Sequence, residues 1–90
     1  MKPYKNQKSI MEEVLGQLCL KLSNKNLISS EIARIIKDTF NIFKDEGFIE
    51  VPIINNKLRN LGWQDQLIDE HILNLLIFVY ENGGEKSLKW

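Results

Sequence analysis

DQLIDEHILNLLIFVYEN, residues 65–82, is the most apolar run in a chain of 90 residues. At about 100° per residue a helical reading places Ile68, Ile72, Leu75, Leu76 and Val79 on one side. Leu73, Phe78 and Tyr80 widen that surface, and only Glu70, Asn74 and Glu81 line up as a polar strip. A helix apolar around most of its circumference has to be covered on several sides, by its own chain or by a second copy. Each large side chain so buried contributes roughly 1.5–3 kcal/mol. The pattern predicts a helix capped at Asp65, ended by Asn82-Gly83-Gly84 and central to the fold.

Working back from this stretch, Gly62 stops a helix that begins at Pro52 and carries Ile53, Ile54, Leu58 and Leu61 as its apolar side. Trp63, just beyond the glycine, is placed to fold back on Leu58. Phe48-Ile49-Glu50-Val51 is β-branched and aromatic and precedes a proline, which predicts a short extended segment at 48–51. Before it lies the cleanest amphipathic pattern in the chain. Ile32, Ile35, Ile36, Thr39, Phe40, Ile42 and Phe43 share half a wheel, opened by a hydroxyl cap from Ser29-Ser30 and closed by Gly47. A first helix starts from the capping box Ser9-Ile10-Met11-Glu12, with Met11, Val14, Leu15, Leu18, Cys19 and Leu22 on one face. Gly16 and Leu20 lie on its outer side. The expected organisation is a basic, disordered arm at 1–8, one helical domain at 9–84 and a short tail at 85–90.

The fold class that follows is all-α, a compact bundle of about four helices with one short extended segment. Twelve Lys+Arg balance twelve Asp+Glu, so the chain lacks the positive surplus that coating nucleic acid or an anionic membrane requires. The balance is uneven along the chain: residues 1–25 hold five lysines against two glutamates, a local charge of +3. Lys2, Lys5, Lys8 and Lys25 are therefore the candidate basic patch. The single Cys19 offers no internal disulfide, which fits a reducing, cytoplasmic setting. The N-terminal residues hold no apolar run of signal-peptide length, and the last helix is interrupted by Asp69, Glu70, His71 and Asn74, so no membrane span is expected.

Two DNA- and metal-binding patterns fail on spacing. Residues 28–34 and 46–51 look like the opening and the wing of a winged-helix domain, but Glu31 to Gly47 is one uninterrupted amphipathic period with no turn between two helices. Phe40-Asn41-Ile42-Phe43, Gly47, Ile49 and Leu58-Arg59-Asn60-Leu61-Gly62 follow an outline similar to the EF-hand of calcium-sensor proteins. With Gly47 in the loop's sixth position, the first, third and twelfth positions are Ile42, Lys44 and Ile53, which offer a hard cation no carboxylate. The outline implies at most a metal-free relative used for protein contacts.

Catalysis finds no constellation either. His71 is the one histidine and has Leu67 and Leu75 as helical neighbours, which suits a structural role at a core edge. Asp65, Asp69 and Glu70 gather where acids favour a helix N-terminus. No glycine-rich phosphate loop is present, and Cys19 has no histidine at useful spacing. The expectation is a non-enzymatic protein without metal or cofactor, acting by contact with a protein partner or with itself as a homodimer. Trp63, Leu73, Ile77, Tyr80 and Trp90 are its candidate interface. The alternative is a nucleic-acid-associated accessory protein using the basic patch.

Overall fold

The computed structural model describes residues 7–64 and 67–82, with side chains from Ile10 onward. Within them the chain forms α1 (Gln7–Ser23), α2 (Ser29–Glu46), α3 (Val51–Asn60) and α4 (Glu70–Glu81). The fold is all-α, and no strand occurs among the described residues. Phe48 to Val51 is not a strand, although Glu50 is extended, because Val51 already belongs to the helix that Pro52 helps to start.

The apolar half-wheel of α2 is buried as its periodicity predicts: Ile32, Ile35, Ile36, Thr39, Phe40, Ile42 and Phe43 all face inward. Thr39 enters the core without an orphaned hydroxyl, since Oγ1 donates to the Ile35 carbonyl at 2.8 Å. Gly47 ends the helix with φ +80° and ψ −168°, a backbone region that is essentially glycine's alone. The start differs from expectation. Ile28, not a serine, is the N-cap, and its N–H donates to Glu31 Oε1 at 3.1 Å. A glutamate one turn in supplies the backbone's missing partner, so Ser29 and Ser30 are taken into the helix.

α1 likewise starts earlier than its capping box implied. Gln7 and Lys8 are already helical, so Ser9 lies inside the helix and not at its end. Residues 1–6 of the expected arm and 83–90, which include the expected tail, lie outside the described residues. Asn26, at φ +66°, turns the chain between α1 and α2, a conformation asparagine tolerates better than most residues.

The largest correction concerns α4. It begins at Glu70, five residues after Asp65, which lies outside the described residues. Asp69 is the cap, its Oδ1 accepting from the Ile72 N–H at 2.8 Å. The physical reason lies on α3. Asn55 is 1% exposed, and its Oδ1 accepts from the N–H groups of Leu67 (3.2 Å) and Ile68 (3.1 Å). Its Nδ2 donates to the Ile68 carbonyl at 2.9 Å. The amide thus offers residues 67–68 the partners a helix would have given them, and those residues stay out of α4.

The core is shared. α2 packs extensively against α1, α3 and α4, while α1 packs chiefly on α4, so α2 is the hub and α4 one wall. Ile72, Leu73, Leu76 and Val79 of α4 are buried, and Leu75, Ile77, Phe78 and Tyr80 pack half-buried against the same core. Phe40, Phe43, Phe48 and Tyr80 form an aromatic cluster with ring centroids 5.0 to 6.3 Å apart.

Candidate interaction surface

The five candidate interface residues do not form one exposed patch. Trp63 and Leu73 are each only 8% exposed and serve the chain's own core. Ile77 is half-buried, Tyr80 is held in the aromatic cluster, and Trp90 lies outside the described residues. Trp63 is fixed on three sides. Its N–H completes the end of α3 by donating to the Leu58 carbonyl at 3.1 Å, with Gly62 donating to Arg59 at 3.0 Å. This is a Schellman turn, for which Gly62 supplies the positive φ of 104°. The indole Nε1–H donates to Asp38 Oδ2 at 2.7 Å, and the Arg34 guanidinium lies 5.2 Å from the ring centre. Two charged residues of α2 therefore hold the α3 corner in place.

The basic patch is not assembled either. Lys2 and Lys5 lie outside the described residues, and Lys8 is described by its backbone alone. Lys25 is half-buried and lines a cleft of about 310 Å³ with Arg34, Glu31 and Gln64 beside Trp63. His71 is exposed rather than at a core edge. Among the described residues, no three His, Cys, Asp or Glu side chains are grouped to hold a metal ion. None of the helices searched there is long and apolar enough to cross a membrane.

Exposed large apolar side chains occur at Ile10 and Leu20 on α1, at Ile28 and Phe48 in the connections, and at Ile53 and Leu61 on and just after α3. The ten residues of α3, VPIINNKLRN, put Ile54, Asn55 and Leu58 inward. Ile53 and Leu61, expected on the same buried side, instead face solvent at 44% and 52% exposure. Ile53 is more than a quarter turn from Ile54 and nearly opposite the line through Val51, Ile54, Asn55 and Leu58. Asn55 occupies the core position that Ile53 was expected to fill. Ile53, Asn56, Asn60 and Leu61 make an outward strip about 12 Å long at the helical rise.

Lys57 stands one helical turn from both Ile53 and Leu61, on the row that joins them. It is drawn aside to Glu46 on α2 at 3.4 Å, and Arg59 Nε donates to the Gln64 carbonyl at 3.3 Å on the other edge. The exposed face of α2 carries Arg34, Lys37, Lys44 and Asp45. Beside the strip, a groove of about 350 Å³ runs between α2 and α3, with Ile42 and Leu61 as its apolar lining and Asp45 and Asn60 among its polar residues. Phe48, 49% exposed, stands in the connection at the Ile53 end. Ile53 and Leu61 are the exposed apolar part of this surface, and Asp38, Glu46 and Lys57 also line the groove. Ile53 and Leu61 were legible in the sequence as apolar residues of this segment, but the inward asparagine concealed which way they faced. Set beside known proteins, the chain stands apart: no family model matches it, and no curated protein and no solved structure matches it either.

Proposed function

We propose that this protein is a protein-interaction module that works by surface contact and not by catalysis, in a reducing intracellular compartment. The observation that carries the reading is the pair of exposed apolar side chains Ile53 and Leu61, two turns apart on the outer side of α3. The core takes up most of the other large apolar side chains of the described residues, with Ile10, Leu20, Ile28 and Phe48 exposed as well.

A photoreactive phenylalanine analogue placed at Ile53, at Leu61 and, as a control, at Lys37 on the charged face of α2 tests it. Irradiation in cells that make the protein naturally is expected to yield protein adducts from positions 53 and 61 and none from 37. Absence of adducts from both α3 positions would overturn the reading.

The accessory role on nucleic acid has one observation in its favour, the pairing of Lys25 with Arg34 at the cleft beside Trp63. Phosphate contacts of that kind release counterions and weaken steeply with salt. A natively purified complex with excess absorbance at 260 nm that collapses at high salt is the outcome that would move the function to that cleft.

A further inference from the structure

We propose that Asn82 is a site of spontaneous self-modification, at which the chain converts the cap of its own α4 from an amide to a carboxylate. Of the nine asparagines in the chain, Asn82 alone is followed by glycine. A backbone nitrogen can attack the side-chain carbonyl of a preceding asparagine, and a side chain on the attacking residue hinders the approach. Glycine carries none. The Gly83 nitrogen forms a bond to Asn82 Cγ, the Cγ–Nδ2 bond breaks, and Nδ2 leaves as ammonia with the proton that Gly83 gives up. Water then opens the cyclic imide. Addition at one carbonyl gives aspartate, and addition at the other gives an isoaspartate linkage whose main chain runs through Cβ and Cγ. Water is the one co-reactant.

The position decides what the change does. Asn82 is the C-cap of α4, where its backbone N–H donates to the Phe78 carbonyl at 3.1 Å and its Nδ2 donates to the same carbonyl at 2.8 Å. The closed cap holds the amide out of reaction, so attack awaits opening of the last turn, the part of a helix that frays most readily. The product does not rebuild the cap. Aspartate has lost the Nδ2 donor and sets a negative charge against the carbonyls of a helix C-terminus, where the dipole disfavours it. α4 has Glu81 there already and no basic residue in its last turn. Tyr80, two residues earlier, packs on Phe40, Phe43 and Phe48 at 5.4 to 5.7 Å between ring centroids, so the loosened turn adjoins the aromatic cluster. The modification is a one-way change that records the opening of α4 and promotes it.

Peptide mapping by mass spectrometry of the purified full chain, aged at neutral and at mildly alkaline pH, reads the site, and an isoaspartate methyltransferase assay identifies the linkage. The deamidated mass is expected to accumulate at Asn82 ahead of the other asparagines. It should do so faster at the higher pH, because the attacking nitrogen has to give up its proton, and Gly83→Ala should remove most of it. Asn82→Asp, a fixed copy of the aspartate product, should stay folded, lose about 4–8 °C in Tm and show a weaker near-ultraviolet circular dichroism signal from the aromatic cluster. Asn74→Asp, at an exposed asparagine of the same helix, should leave both readings close to the wild type.

Deamidation that is absent at Asn82, no faster there than at the other asparagines, or unchanged by Gly83→Ala would overturn the site. An Asn82→Asp chain with the Tm and the aromatic signal of the wild type would overturn its effect on α4.

Discussion

Asn55 shows how one side chain can set the length of a helix in another part of the chain. Its amide satisfies two backbone N–H groups and one carbonyl of residues 67–68 from a fully enclosed position. Among the described residues no buried side-chain nitrogen or oxygen is left without a partner. Removing the amide leaves those backbone groups unpaired, at about 1–3 kcal/mol for each that stays dry. Asn55→Ala is therefore expected to lower the urea-derived stability by at least about 2 kcal/mol, whereas Asn56→Ala on the exposed side should change it by less than about 0.5 kcal/mol. Trp63 is the second residue of this kind. Trp63→Phe keeps the ring and loses the 2.7 Å bond to the Asp38 carboxylate, a loss of about 1.5 kcal/mol. Combined with Asp38→Ala the two should be less than additive, since each removes the same bond, and a double-mutant cycle measures the shortfall.

At the scale of elements, the ends of helices matter as much as their faces. Gly47 at φ +80° and ψ −168° permits the abrupt exit from α2, and a Cβ there would meet nothing within 4 Å, so any penalty is conformational and not steric crowding. Gly47→Ala should cost about 1–3 kcal/mol, and Asp69→Ala about 1 kcal/mol through loss of the α4 cap; thermal unfolding of the two variants checks both. These ends also mark how far the sequence could be read. α2 was legible in its inward face and its end, though not in its cap, because seven inward residues at helical spacing and a terminal glycine agree with one another. The Schellman turn at Gly62 and Trp63 was legible for the same reason, being local. The start of α4 was not. Leu67 and Ile68 continue the apolar period, and both Asp65 and Asp69 can be read as a cap. The choice between them is made by Asn55, twelve residues away from Leu67, and a tertiary clamp leaves no periodic trace. The same asparagine reversed the reading of α3, because a polar residue on an inward position made Ile53 look like the core side chain.

Across the whole molecule, stability rests on a core in which α2 meets the other three helices and α4 supplies one wall. Leu76, fully enclosed, and Leu20, 65% exposed, are the same residue type in opposite settings. Leu76→Ala is expected to cost about 2–5 kcal/mol and Leu20→Ala less than about 0.5 kcal/mol, which chemical denaturation would distinguish readily. The Lys57–Glu46 pair joins α2 to α3 but is more than a third exposed at both ends. It has little effect on stability. The Asn55 clamp has a mechanical meaning beyond its energy. α3 and α4 have little direct packing, yet the clamp and the adjoining Asp69 cap tie the first turn of α4 to the middle of α3. The two are therefore expected to move together, and the amide protons of Leu67 and Ile68, though outside any helix, should exchange with deuterium as slowly as those of α3 itself.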